Sequence, residues 1–173
     1  MDIKKTVTGT EPITAADVKL YCKIDYATED ALIASLITAV RERIEKFTGL
    51  SLIETTYEAY WDYLPEEVEL PYPEHNEVTE VQINGEVSTS YTKKGLNVFK
   101  ILPSQTYVIG TDTTNVYSLY VKYTTIGNCP DAIKVEMLRL IDEKYRNRGN
   151  TFVGATNELS ENTFANLAQF TRM

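Results

Sequence analysis

Histidine is almost absent from this sequence, since His75 is the only one in 173 residues. Metal sites need several His, Cys or carboxylate ligands at defined spacing, and this histidine lies in no such pattern. A Ser-His-Asp arrangement would need a nucleophilic serine, but the chain has no GxSxG, and it also lacks a P-loop, a GxGxxG and an EF-hand loop. We therefore expect no catalysis, no metal and no cofactor. A hydrolase acting through two carboxylates stays open, because acids are plentiful.

Cysteine is nearly as rare, and the two that occur, Cys22 and Cys129, lie far apart in sequence with no CxxC motif. Two interpretations remain open: a disulfide between them, or two free thiols, which a reducing compartment favours. Long apolar runs are also lacking, since no stretch approaches the roughly eighteen residues that span a bilayer. The first residues do not have the apolar core of a secretory signal. We expect a protein assembled in the cytoplasm without a membrane partner.

Basic residues are missing from one long segment. Residues 47–92 contain acids but no Lys or Arg, although the whole chain has 17 basic residues and a net charge of −8. Such a segment is a poor surface for gripping nucleic acid, because that binding depends on Lys and Arg. It is either a solvated face that keeps the protein soluble, or a surface that faces DNA without adhering to it.

Two stretches near the start of the chain have the signals of helices. The first covers about 15–22, with Thr14 as N-cap and Asp17 three residues later. The second covers 29–48 and ends at Gly49, a residue that tolerates the left-handed conformation.

The second helix is apolar on two adjoining faces. Its main seam follows helical spacing: Ile33, Ile37, Val40, Ile44 and Phe47. A second stripe lies beside it: Leu32, Leu36 and Ala39. Either the helix packs against two partners, or it is buried in one larger core. The sequence is equally compatible with both interpretations.

A third long helix is predicted from Pro130 to Arg148, with proline in its first turn. Residues 149–162 are rich in Gly, Asn, Thr and Ser, which indicates a linker. After it, Asn162 is placed to cap a last short helix that carries Phe164, Leu167 and Phe170. A helix this short is not stable alone, so it must dock on its own domain or on a neighbour.

Between the second and third helices the apolar spacing changes to period 2, which is typical of strands. Residues 55–63 alternate, with Tyr57, Ala59, Trp61 and Tyr63 on one side. Further strands are predicted at 68–70, 78–83, 87–91, 98–102, 107–109 and 116–125. Asn84-Gly85 is a strong hairpin signal. Most tyrosines fall in this region, where packing explains them better than base stacking, which would want interleaved Lys or Arg.

Several of these segments together resemble the head–tail connector (head-completion adaptor) family of long-tailed bacteriophages. The resemblance lies in EPITAADVK at 11–19, IDYATEDALI at 24–33 and RERIEKFTGLSLI at 41–53, then LIETTYE at 52–58, and finally PDAIK at 130–134 and KYRNRG at 144–149. It covers about half of the chain. No single motif is diagnostic, but their order and spacing make the match specific.

The resemblance implies a structural protein of the virion, located in the neck between capsid and tail. Such proteins assemble in the host cytoplasm as a ring of about a dozen copies below the portal protein. The ring extends the channel for double-stranded DNA, which passes without specific binding, and it contacts a downstream neck or tail-completion protein. Expected contact residues are Leu32, Ile33, Leu36, Ile37, Val40, Phe164, Leu167 and Phe170, the last three as an arm that docks on an adjacent subunit or the portal. Acids expected to face the channel are Glu66, Glu67, Glu69, Glu74 and Glu77.

The fold class predicted from all these features is α+β. We expect a small helical bundle with an inserted antiparallel β-subdomain and a C-terminal tethered short helix, divided as 1–53, 54–125, 126–149 and 150–173. The rival function is a phage binding module that forms no ring, either an assembly chaperone or an acidic regulator that mimics DNA.

Overall fold

The computed structural model describes most of the chain, namely residues 1–26, 28–95, 99–103, 118–147 and 156–171. The chain forms two compact units. The sheet unit comprises Met1–Gly9 and Ile53–Asn128, and the helical unit comprises Thr10–Leu52 and Cys129–Met173. The predicted α+β class is confirmed. The finer division at residues 53, 125 and 149 stays a prediction.

The helical unit contains α1 (Ala15–Cys22), α2 (Asp30–Thr48), α3 (Asp131–Arg146) and α4 (Thr156–Leu167), followed by a 3-10 turn over Ala168–Phe170. The first three helices agree with the predicted ones to within two residues. The fourth begins earlier than predicted and includes Asn162, so the prediction that this residue caps the helix was wrong. The sequence from Thr156 to Asn162 has neither Gly nor Pro, so nothing in it stops a helix.

The predicted capping box is present at the start of α1. The Thr14 hydroxyl accepts from the Asp17 amide at 3.2 Å, and the Asp17 carboxylate accepts from the Thr14 amide at 2.7 Å. These hydrogen bonds from Thr14 lower the pKa of Asp17. The next helix, α2, ends at Gly49, whose φ of 72° is in the left-handed region.

The core of the helical unit is formed by side chains from all four helices and the segments that flank α1 and α2. Its buried members include Val18, Ile33, Ile37, Val40, Ile44, Leu52, Ile133, Met137, Leu140, Ile141 and Leu167. Beside them the buried Arg41 donates to Glu11 at 2.9 Å and to Glu45 at 2.8 Å. Glu45 also accepts from the Leu52 amide at 3.0 Å. This network ties the segments before and after α2 to the helix itself.

The sheet unit has two antiparallel sheets with the orders β1-β2-β8-β4-β5 and β3-β7-β6. The strands are β1 (Asp2–Val7), β2 (Thr55–Trp61), β3 (Val68–Glu69), β4 (His75–Ile83), β5 (Glu86–Val87), β6 (Tyr91–Lys94), β7 (Lys100–Pro103) and β8 (Leu119–Thr125). The predicted strand at 107–109 lies outside the described residues.

Alternation along β2 and β8 is confirmed. Tyr57 and Ala59 are buried and face Tyr123 and Val121 across the ladder. The ring of Tyr57 stacks on Tyr123 at 5.4 Å and on Tyr72 at 4.6 Å between centroids. These three tyrosines therefore pack against one another, as the sequence predicted.

The structure departs from the predicted strands at two places. Asn84 and Gly85 make the predicted hairpin turn with φ of 52° and 82°, but the return strand β5 is only two residues long. The Ser90 amide donates to the Ser88 hydroxyl at 3.0 Å, a local turn that ends the strand. The chain then joins the other sheet as β6. The second departure is β1, which the sequence analysis did not predict.

Candidate assembly surfaces

The two predicted apolar faces of α2 differ in how far they are buried. Ile33, Ile37 and Val40 are buried in the helical core, so their side chains are not available to a partner. Leu32 is 39% exposed and Leu36 is half-buried. The buried apolar residues of α2 all belong to one core, and the second stripe is left partly exposed beside it. Of the five α2 residues expected to contact a partner, only Leu32 and Leu36 remain candidates.

Two interactions show which helix ends meet near Leu32. An ion pair joins Lys19 in the last turn of α1 to Asp30 at the start of α2. The hydroxyls of Tyr26 and Tyr145 lie 3.0 Å apart, which brings the turn after α1 to the last turn of α3. The end of α1, the start of α2 and the end of α3 thus lie at one end of the helical unit.

That end carries exposed apolar and aromatic side chains beyond those that the sequence analysis named. Leu20 is 83% exposed, and Tyr21 and Tyr26 are also exposed. Together with Leu32 we call these four residues the apolar end surface. Within α1 only Val18 and Cys22 are buried, one helical turn apart. Leu20 lies midway between them and therefore points away from the core.

A hydrogen-bonded chain of side chains holds Tyr26, one member of the apolar end surface. The Tyr145 hydroxyl donates to the Glu29 carboxylate, and this bond is the main reason that the pKa of Tyr145 is raised. The same hydroxyl is within hydrogen-bond distance of Tyr26. An exposed aromatic ring held in this way loses little further conformational entropy when a partner covers it.

The predicted arm residues pack within their own unit. Leu167 is fully buried in the helical core. The ring of Phe164 lies edge-on to Phe47, with centroids 5.0 Å apart, and the Arg43 guanidinium lies 4.5 Å from its centroid. Phe170 is partly buried against the same core. Docking of these residues on an adjacent copy or on the portal stays a prediction, and it would require these contacts to be released first.

The five acids that were expected to face a channel are all in the sheet unit. Glu66, Glu67, Glu69 and Glu77 are exposed, whereas Glu74 is half-buried and accepts from Asn128 at 3.2 Å. Lys100 on β7 lies 2.8 Å from Glu67 and 3.9 Å from Glu69.

This lysine changes the charge expected for the acidic segment. The hydrogen bond from Lys100 is the main cause of a lowered pKa at Glu67. Lys100, together with Lys93 and Lys94 on β6, comes from outside the segment 47–92. The fold therefore compensates part of the negative charge that the sequence shows as a continuous block.

The single histidine has a structural role in the sheet unit. His75 is buried; its Nδ1 accepts from the Phe99 amide at 2.8 Å, so its Nε2 carries the proton and donates to the Pro71 carbonyl at 2.8 Å. The Tyr123 hydroxyl donates to the same carbonyl at 2.9 Å. Both ring nitrogens are occupied by the backbone, which leaves none for a substrate or an ion.

The described part of the chain lacks two features. No group of three or more His, Cys, Asp and Glu side chains there could hold a metal ion. None of its helices is long and apolar enough to cross a membrane. Both cysteines are free thiols, Cys22 buried and Cys129 half-buried, so the disulfide interpretation is not supported.

Comparisons with known proteins give a family and a fold. A family model described as "Head completion protein" matches residues 11–171. Three solved structures match with 15% identity over 100% of this chain and 96% of theirs: the neck of an empty gene transfer agent (GTA) particle computed with C6 symmetry, the virion of a native particle, and the neck of a native particle computed with C12 symmetry, with TM-scores of 0.69, 0.70 and 0.69. No curated protein matches the chain.

Proposed function

This chain belongs to the head completion protein family, a family of structural virion proteins and not of enzymes, and from that premise we propose that copies of it form a ring in the neck, between capsid and tail. The ring would lie below the portal protein, extend the channel for double-stranded DNA and contact a downstream neck or tail-completion protein. The observation that carries this proposal is the family match over residues 11–171. The fold shared with proteins from necks computed with C6 and C12 symmetry supports a multi-copy arrangement.

The apolar end surface supplies a contact of the right kind. Contacts between neighbours in a ring are heterologous, so one patch must match a different patch on the next copy. Leu20, Tyr21, Tyr26 and Leu32 expose apolar area that the chain itself leaves uncovered. Burying such area against a neighbour or the portal contributes roughly 25 cal/mol per Å². Few residues are involved, so each contact is weak by itself.

The acidic residues of the sheet unit suit a channel wall. Glu66, Glu67, Glu69 and Glu77 are exposed carboxylates, and phosphate contacts need Lys or Arg instead. We propose that they face the DNA and let it pass. Because Lys100 neutralises part of this surface, the repulsion from DNA is moderate.

A test uses sedimentation and negative-stain images of the purified protein, alone and with the portal protein encoded in the same genome. We expect mostly monomer at low micromolar concentration and annular particles at high concentration or with portal. The double variant Leu20→Ser/Leu32→Ser should fold normally but form annuli poorly. Val135→Ser is the matched control, because Val135 is also exposed but lies in the first half of α3, away from the apolar end surface.

Two results would contradict the proposal. Virions purified from the same phage that lack the protein would exclude the structural role in the neck. A stable ring as the only species at micromolar dilution without portal would exclude weak contacts.

The rival function, a phage binding module without a ring, is favoured by one observation. The exposed glutamates of the sheet unit present carboxylates as DNA presents phosphates. Such a module should compete with DNA for a basic partner, and the competition should weaken as salt is raised. A pull-down at low and high salt separates it from the ring protein, which needs no basic partner.

A further inference from the structure

A second exposed surface with aromatic side chains lies at the other end of α2. Phe47, in the last turn of the helix, is 40% exposed, and the half-buried ring of Phe164 on α4 lies edge-on to it. One turn before Phe47, the guanidinium of the exposed Arg43 lies 4.5 Å from the centroid of Phe164. Lys46 is exposed beside them. We call Arg43, Lys46, Phe47 and Phe164 the aromatic-basic surface.

The composition of this surface is that of a protein contact. Compensation of the helix dipole accounts for a lysine in the last turn, but it does not account for an exposed phenylalanine beside it. Arginine and aromatic residues are the side chains that contribute most at interfaces. Here the guanidinium and the two rings hold one another in place, so a partner that covers them loses little affinity to their ordering.

The aromatic-basic surface and the apolar end surface lie far apart on one rigid element. Leu32 is in the first turn of α2 and Phe47 is in its last turn. Fifteen positions separate them, which at a rise of about 1.5 Å per residue is about 22 Å along the helix axis. In a ring, each copy must present one patch to one neighbour and a different patch to the other. Two unlike patches at opposite ends of a helix meet that requirement.

The charges beside the two surfaces are complementary. Residues 25–30 lead from the apolar end surface into α2 and contain three acids and no Lys or Arg. These acids are Asp25, Glu29 and Asp30. The exposed charges of residues 43–47 are those of Arg43 and Lys46, both basic. Because Lys23 is exposed just before the acidic segment, charge orients this contact more than it strengthens it.

Self-pairing of either surface fits less well. Two copies of the aromatic-basic surface would bring Arg43 and Lys46 of one copy against those of the other. Two copies of the apolar end surface would bring residues 25–30 together, with like charges again facing one another. Like charges across an interface disfavour it. Pairing of the two unlike surfaces avoids both arrangements.

We propose that the aromatic-basic surface of one copy binds the apolar end surface of the next copy, so that the α2 helices follow one another head to tail around the ring. This inference rests on the proposed ring and names the second patch that its heterologous contact needs. Phe164 takes part without leaving its own core, and Leu167 stays buried beneath it. Release of the C-terminal helix is therefore not required.

The first experiment compares two double variants that keep the wild-type net charge of −8. Asp25→Lys/Lys46→Glu exchanges the charges of the two surfaces, so an acid again meets a base between neighbours. Asp25→Lys/Lys94→Glu makes the same change at Asp25 but places the acid on β6 of the sheet unit, where Lys94 is also exposed. Sedimentation at a series of concentrations measures assembly, and circular dichroism checks that both variants are folded.

We expect the exchanged variant to assemble at about the wild-type concentration. The variant with Lys94→Glu keeps Lys46 opposite the new lysine, and we expect it to need an about tenfold higher concentration, which corresponds to about 1.4 kcal/mol. Equal assembly of the two double variants would overturn the pairing of these surfaces, while the ring formed by the wild-type chain would stand.

The second experiment leaves the apolar and aromatic residues in place. Asp25→Cys protein is mixed with Lys46→Cys protein and treated with a short bismaleimide. We expect cross-linked dimers in the mixture and none in either variant alone, which also controls for Cys22 and Cys129. Cross-linking of one variant with itself would show a symmetric pair and overturn the inference, as would normal rings without cross-links. A wild-type chain that forms no ring, alone or with portal, would remove both this inference and the proposed function.

Discussion

At the residue scale, the most demanding feature is a charge in the core of the helical unit. Arg41 is 2% exposed and is held between Glu11 and Glu45. Removing two charges from water costs several kcal/mol per ion. A buried ion pair is therefore stable only when both partners have their charge and hydrogen bonds compensated. Here the network of Arg41, Glu11 and Glu45 links α2 to the segment before α1. Through the Leu52 amide, it also links α2 to the chain after Gly49. The network positions the chain where it leaves the helical unit.

Substitution Arg41→Met should therefore destabilise the protein strongly. We expect a loss of about 3–5 kcal/mol in the free energy of unfolding, because Glu45 is left as a buried carboxylate without its cation. Urea denaturation followed by circular dichroism measures it. The matched control is Arg146→Met, which removes an exposed helical pair with Asp142 and should hardly move the midpoint. If Arg41→Met/Glu45→Met is no better than the single variant, the orphaned charge is not the cause.

The two cysteines give a pH-dependent prediction. Burial is the main cause that raises the pKa of both thiols to about 11 from an ordinary value of 9.0. A shift of this size lowers the thiolate fraction at pH 8 about 100-fold. Ellman's reagent should therefore react about 100 times more slowly with Cys22 and Cys129 in the native protein than in urea. An added exposed thiol, Ile126→Cys, should react at the ordinary rate.

The same shift has a consequence for stability. The folded state holds the thiol protons more tightly than the unfolded state, so this contribution is complete below about pH 9. It is lost as the pH rises through about 11. Native thiols that react as fast as unfolded ones at pH 8 would contradict both statements.

At the element scale, the ends of helices were readable from the sequence because their signals are local. The capping box at Thr14 and the left-handed Gly49 involve neighbours only a few residues away. Strand β1 was missed because pairing with a distant strand defines it: its residues pair with residues 48 to 58 positions along the chain. A polar strand with no core of its own carries no pattern that predicts it.

The candidate site was only partly predictable for the same reason. Leu32 lies on an apolar stripe of a long helix, so its spacing is visible in the sequence. Leu20 and Tyr21 belong to a helix of eight residues, too short for an apolar period to stand out. Tyr26 lies in a turn, and only the contact with Tyr145 shows where it is.

Helix α4 gives a prediction at this scale, since its position depends on a few contacts. Leu167 is fully buried and Asn166 donates to Glu136 at 3.0 Å. Leu167→Ala should cost about 2–5 kcal/mol, as removal of a buried leucine does. Leu20→Ala is the control, and an exposed leucine should change stability by less than about 0.5 kcal/mol. Equal urea midpoints for the two variants would show that α4 is not part of the folded core.

At the scale of the whole molecule, charge and assembly oppose each other. Each copy carries a net charge of −8, so neighbours in the proposed ring would repel over a distance set by the salt concentration. The Debye length is about 30 Å at 0.01 M and about 10 Å at 0.1 M salt. Exposed ion pairs between copies would contribute only about 0–1 kcal/mol each. The net repulsion therefore outweighs them at low salt.

Assembly should accordingly become stronger as salt is added over this range. Sedimentation velocity at a fixed protein concentration in 0.01 M and 0.1 M sodium chloride measures the change, with an uncharged osmolyte as control for crowding. The double variant Glu66→Gln/Glu77→Gln changes the net charge from −8 to −6 and should reach the same degree of assembly at lower salt. Rings that dissociate on adding salt would instead show that ion pairs between copies hold them together. The acidic surface would then be an assembly surface, because carboxylates engaged by a neighbour cannot also line an open channel.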